Sequence, residues 1–101
     1  MLNVKIFTFN PYQENTFILS DETKECVIVD PGCYTSFEKD DLRNYISSNE
    51  LKVIKLLNTH GHIDHMLGNY FVTQQYKVPF FAHKVIEKEW NFVLLSDKII
   101  T

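Results

Sequence analysis

The run "CVIVDPG", Cys26 to Gly32, limits the folds open to this chain more than any other stretch. Cys26, Val27, Ile28 and Val29 are apolar without a break. A strand with one wet face alternates, whereas an unbroken apolar run suits a strand covered on both faces of a layered sheet. Asp30-Pro31-Gly32 then ends the strand sharply, since Pro and Gly favour turns over a continuing ladder.

The neighbouring segments supply the layers. "LNVKIFTF" places Leu2, Val4 and Ile6 in one parity and Phe7 and Phe9 in the other, which reads as a strand with a bulge. "NPYQ" is a turn, "NTFILS" a second strand, and "DETK" a polar turn that makes a hairpin with "ECVIVD". Thr35 and Glu38 have capping-box spacing, so a helix is expected from about Ser36. Leu42, Tyr45 and Ile46 give that helix one apolar stripe. "KVIKLLN" is a further strand. Leu67, Tyr70 and Phe71 then recur at helical spacing, "VPFFA" is a short strand, and Ile86, Trp90, Val93 and Leu94 mark a third helix from Lys84. The expected order is β-β-β-α-β-α-β-α, an α/β fold with helices layered on a sheet. Few elements remain to cover the second face of "CVIV", and "SDKIIT" reads as the approach to another strand. Residues 1–101 are therefore expected to be the N-terminal half of a longer fold, whose exposed sheet edges would favour self-association.

A chain of 101 residues with 45 % hydrophobic and 14 % aromatic side chains makes one small domain with a real core. The net charge of −3, without a basic block, argues against nucleic acid as partner. No apolar run approaches membrane-spanning length, and "MLNVKIFTFN" is not a signal peptide, so a cytoplasmic protein is expected. Cys26 and Cys33 form no CxxC pair and read as buried small hydrophobes. Tyr12, Tyr34 and the Trp90 stripe read as packing residues, and Glu38 to Asp41 as a solvated first helical turn favoured by the macrodipole.

After the "KVIKLLN" strand comes Thr59-His60-Gly61-His62-Ile63-Asp64-His65. Imidazole and carboxylate are ligands suited to zinc and neighbouring transition metals. His60 and His62, two apart in an extended turn, can point to one side, with Gly61 leaving the backbone free to bend between them. Asp64 and His65 are adjacent, so on a helix their side chains diverge by about 100°. Two neighbouring ions, one on His60 and His62 and one on Asp64 and His65, fit so compact a stretch better than one.

"THGHIDH" resembles the HxHxDH signature of the metallo-β-lactamase superfamily. "ENTFIL" followed by "CVIVDPG" resembles that superfamily's opening hairpin, with Asn15 and Asp30 at matching positions. "HMLGN", with Gly68, is similar to the continuation of the motif, and "VPFFAHK" to the next strand. The pattern looks most like the glyoxalase II-type hydrolases, because His65 sets it apart from the β-lactamases that replace this position and the flavodiiron branch carries Glu in place of His62.

The resemblance implies the N-terminal half of an αββα sandwich with the metals at one sheet edge. His60 and His62 would bind the first ion, and Asp64 and His65 the second. Two zinc ions are implied, with iron or manganese as alternatives. A metal-bound hydroxide would attack an acyl carbon, typically of a small-molecule thioester or related ester, and Asp64 would also orient the nucleophile. Asp30 would support a ligand or shape the loop. A turn role for Asp30 is an equal alternative, and for Asn15 a plain structural role is favoured. The family completes its site with a later histidine, a bridging aspartate and a final histidine, none of which is in this sequence. His83 matches a position that is usually not a ligand. An iron oxidoreductase of the persulfide dioxygenase type resembles the same residues, with one Fe(II). A chain that binds metal without catalysis is a third reading. Beyond the self-association that exposed edges favour, the sequence names no particular oligomeric state.

Overall fold

A computed structural model describes residues 2–59 and 67–78, together with the backbone of Phe80 and Phe81. One sheet runs in the order β1 (Asn3–Phe9), β2 (Glu14–Ser20), β3 (Glu25–Val29), β4 (Lys52–Leu57) and β5 (Phe80–Phe81). The first three strands are antiparallel neighbours joined by short turns, while β3, β4 and β5 are parallel. Parallel neighbours need crossovers, and α1 (Ser36–Ser48) and α2 (Asn69–Tyr76) supply them. Both crossovers advance in the same direction across the sheet, so the right-handed rule puts both helices on one face. The order matches that read from the sequence through β5. The third helix expected from Lys84 lies outside the described residues.

The register shows which side chains the helices cover. Ile18 pairs with Ile28, and Cys26 with Val53, on the same face as Leu56. These residues are buried with Leu42 and Ile46 of α1 and Val72 of α2 in one apolar cluster. Phe7 meets Tyr45 edge-on at 5.7 Å between ring centroids, which carries the cluster out to β1. On the opposite face, Val4 and Ile6 of β1 stay 54 % and 53 % exposed, so β1 is wet there. Within β3, by contrast, Cys26, Ile28 and Val29 are buried and Val27 is half-buried, as its unbroken apolar run implies.

The expected bulge in β1 is absent. Its register with β2 runs without a slip from Asn3 opposite Ser20 to Phe9 opposite Glu14. The change of parity in "VKIFTF" marks apolar side chains on both faces, Val4 and Ile6 on one and Phe7 and Phe9 on the other. The irregularity lies in β4 instead. Cys26 pairs with Val53 but Val27 pairs with Lys55, which leaves Ile54 as the extra residue. This explains why Val53 and Leu56, three apart, are both buried on the helix side.

The N-terminus of α1 is fixed by the capping box that the sequence signals. Glu38 N donates to Thr35 Oγ1 at 3.1 Å, and Thr35 N donates to Glu38 Oε1 at 3.2 Å. The same carboxylate reaches further, accepting Tyr34 N at 2.9 Å and, through Oε2, Asn10 N at 2.6 Å. Asn10 has φ of 58°, a left-handed conformation that Asn tolerates. Its Nδ2 donates to Gly32 O at 3.0 Å. The β1–β2 turn is thus tied to the start of α1 and to the turn after β3. Tyr12 and Tyr34 are exposed on these turns. Both cysteines are buried and free of disulfides, as expected. Among the described residues no helix is long and apolar enough to cross a membrane.

Glu38→Ala removes the reciprocal half of the capping box and the acceptor for Asn10 together. A cap contributes about 1 kcal/mol and a hydrogen bond to a charged group about 1.5–3 kcal/mol. The expected loss is about 2.5–4 kcal/mol in urea denaturation, against less than about 0.5 kcal/mol for Glu50→Ala at an exposed site.

Candidate functional site

The described part of the candidate site is the frame on both sides of the histidine motif. β4 ends at Leu57, and Asn58 and Thr59 lead directly into His60. Leu67 and Gly68 lead out of the motif into α2. His60, His62, Asp64 and His65 themselves lie outside the described residues, as does His83, so their expected convergence and the separate place of His83 rest on the sequence.

Asp30 is the central group of the frame. It follows β3, has φ of 53°, and is only 2 % exposed. Its N–H donates to Leu57 O at 2.8 Å, adding a rung beyond the end of the ladder. Its carboxylate then takes Thr59 from two directions. Thr59 N donates to Oδ1 at 2.7 Å, and Thr59 Oγ1 donates to Oδ2. A buried carboxylate is costly unless hydrogen-bonded, and these donors come from the residue next to His60. Of the two roles open to Asp30 in the sequence, the structure gives it more than a local turn: it holds the entry to the motif.

Thr16 of β2 ties this turn to the rest of the sheet. Its fully buried hydroxyl accepts Gly32 N at 2.9 Å. The same oxygen lies 2.8 Å from Asp30 O and 2.9 Å from Glu14 Oε2, and its single hydrogen serves one of these acceptors at a time. Glu14, only 3 % exposed, therefore belongs to the frame. Asn15, between them, points to the other face, where it accepts Thr8 Oγ1 at 3.2 Å; this is the plain structural role expected of it.

On the exit side, Gly68 N donates to Pro31 O at 2.7 Å. A Cβ at Gly68 would lie 2.5 Å from Cys33 Sγ and 2.9 Å from Pro31 O, so only glycine fits this approach. Next to it, buried Asn69 donates from Nδ2 to Oδ1 of buried Asn58 at 2.7 Å. Cys33 lines the same contact, and burial pushes its thiol up to about 12. It is a packing group and not a thiolate nucleophile at neutral pH.

Glu14, Thr16, Asn58 and Asn69 are site residues that the sequence alone does not reveal. Their signal was faint: "ENT" begins a strand, and "N" flanks the motif on each side, in "NTHGH" and "HMLGN". The donor chemistry of the motif, three imidazoles and a carboxylate, fits a divalent transition metal.

Three substitutions test the frame. Asp30→Ala loses both acceptors for Thr59 and places alanine at positive φ, so a loss of about 2–4 kcal/mol is expected. Asp30→Asn keeps one acceptor and tolerates the backbone, so about half that loss is expected. Gly68→Ala should cost about 1–3 kcal/mol through overpacking against Pro31 and Cys33. Urea midpoints check all three, and equal effects of Asp30→Ala and Asp30→Asn would contradict the double role given to Asp30.

Known proteins are similar to this chain. The hydroxyacylglutathione hydrolase GloC of Haemophilus influenzae is 34 % identical over 65 residues, 64 % of this chain and 29 % of GloC. The probable metallo-hydrolase YqgX of Bacillus subtilis is 33 % identical over 81 residues, 79 % of this chain and 35 % of YqgX. The chain thus spans about a third of the length of the curated relatives it matches. The crystal structure of the B3 metallo-β-lactamase BLEG-1 superposes with a TM-score of 0.72 at 28 % identity, covering 83 % of this chain and 37 % of that one. The sheet and its two crossover helices therefore have the metallo-β-lactamase fold. The profile of the metallo-β-lactamase superfamily matches residues 9–97, and the chain belongs to that superfamily.

Proposed function

We propose that residues 1–101 are the N-terminal half of a metallo-β-lactamase-fold domain in a zinc-dependent hydrolase, and that its substrate is a small-molecule acyl thioester. The observation that carries this reading is the Asp30 carboxylate clamped on Thr59, the residue before His60. A buried charge spent on the entry to a ligand-rich segment is more readily explained by a site than by stability. The name of GloC, a hydroxyacylglutathione hydrolase, supports the substrate class.

His60 and His62 would hold one divalent ion, and Asp64 and His65 a second. Two bound ions would supply an acidified water and a polarised acyl carbonyl. Asp64 would orient the nucleophile toward the acyl carbon. Asp30 keeps the segment's entry in place from outside the ligand set. Catalytic zinc takes three protein ligands and a water, and this segment offers two to each ion. The remaining ligands and the groups that bind the thioester would come from residues that this sequence does not include.

The test is acyl-thioester hydrolysis by the full-length protein, by residues 1–101 alone, and by full-length Asp64→Ala, each with added zinc and then with iron. Full-length protein is expected to hydrolyse the thioester and the isolated segment is not. Asp64→Ala is expected to lose about 10²-fold or more in turnover. Equal rates for segment and full-length protein would place the whole site within these residues. One iron per chain, with no hydrolysis, would move the assignment to an iron oxidoreductase.

A further inference from the structure

The motif is framed by two buried asparagines, and neither is expected at its position from packing alone. Asn58 follows β4 and is 7 % exposed, while Asn69 opens α2 and is 1 % exposed. Their amides meet at 2.7 Å, Nδ2 of Asn69 to Oδ1 of Asn58. This bond closes the two ends of segment 59–68 directly on each other. The other ties run to a third party. Thr59 is held by Asp30, and Gly68 by Pro31 O, both in the turn after β3. The N-cap of α2 is Gly68, which has no side chain to cap with, and Asn69, the first helical residue, gives its amide to Asn58. An apolar side chain would fill a buried site at lower desolvation cost, and a buried amide pair fixes a single geometry where an apolar contact can slide.

We propose that Asn58 and Asn69 form a positioning clasp, which fixes Thr59 and Gly68 relative to each other and so favours metal binding by the motif between them. This rests on the metal-binding role proposed above. The clasp touches neither metal nor substrate in its own right. Its effect is to hold the ends at the separation the bound state requires, which lowers the ordering cost of binding. Losing one partner should weaken metal binding by roughly 10- to 100-fold, the range for groups that support metal ligands without being ligands. Losing the second partner should then add little, because the bond is already gone.

The experiment uses the full-length protein with Asn58→Leu, Asn69→Leu, the double variant, and Val72→Ala as a control. Val72 is a fully buried apolar residue of the same helix, and its truncation loosens α2 without touching the clasp. Cobalt(II) affinity and the visible cobalt spectrum are measured for each protein, with urea midpoints of the metal-free forms. The expected result is a weakened and spectrally altered cobalt site in both single Asn variants, no further loss in the double variant, and an unchanged site in Val72→Ala despite its lower midpoint. Multiplying losses in the double variant, or an equal loss of cobalt affinity in Val72→Ala, would overturn the clasp. Amide hydrogen exchange of a peptide covering 59–68 in metal-free protein gives a readout independent of metal. Faster exchange in Asn69→Leu than in Val72→Ala upholds the clasp, and equal exchange overturns it. Wild-type protein that takes up no cobalt refutes the metal-binding role, and the exchange comparison then decides the clasp alone.

Discussion

The hydrogen bonds from Thr59 to the Asp30 carboxylate hold together two chain segments that the sheet alone would let diverge. β3 and β4 are parallel, so no tight turn joins their C-terminal ends. Past Val29 one chain leaves toward α1, and past Leu57 the other enters the histidine motif. The ladder is continued by one rung, Asp30 N to Leu57 O, and then by the side chain, which grips Thr59. The positive φ of Asp30 is what allows both at once: the backbone turns away while the carboxylate stays beneath the neighbouring strand's end. Asp alone combines a carboxylate this short with a tolerance for the left-handed region.

From Asp30 the polar contacts run inward as well as sideways. On the helix-covered face of β2, Glu14 and Thr16 lie toward the Asp30 turn, and Ile18 toward the apolar cluster. The interior is therefore apolar in the middle of the sheet and polar at the end where β3 and β4 finish. In open α/β sheets, that end is where ligands bind. Buried polar groups there are a cost to stability that packing does not explain, and their hydrogen bonds to one another offset part of it. Thr16 accepts Gly32 N, Asp30 accepts Thr59, and Asn58 accepts Asn69.

The sequence made the elements legible because each carries a periodic or capping signal. The capping box of α1, the unbroken run of β3 and the order of strands and helices through β5 all follow from local rules. β1 is ambiguous in the sequence because a change of apolar parity has two physical causes, a bulge or two partly apolar faces, and only the partner strand distinguishes them. The real bulge at Ile54 left no mark, since "KVIKLL" offers apolar residues in every parity. The site was legible only in part. Its ligand types stand in the motif, and Asp30 stood out through its turn. Glu14, Thr16, Asn58 and Asn69 did not, because their burial is a tertiary fact: a polar residue at a strand start or beside a turn looks the same whether it faces water or a partner.

The position of α2 depends on that same tertiary frame. An eight-residue helix is too short to be stable by itself, since nucleation is costly and isolated helices below about 12–15 residues are marginal. It lacks a side-chain N-cap, and Thr73 turns its hydroxyl back onto Asn69 O and Tyr70 O, a contact that adds nothing to the helix ladder. Propensity therefore does not say where α2 begins. Three contacts do: Gly68 N on Pro31 O, the close approach of Gly68 to Cys33, and the Asn69 amide on Asn58. Two of them run to the turn that Asp30 opens, and the third runs to the strand that Asp30 clamps. The entry and the exit of the motif are thus set by one group of side chains around the end of β3. A change that frees Asp30 from Thr59 loosens one end of the motif directly, and it weakens the other through the turn and strand end that hold the start of α2.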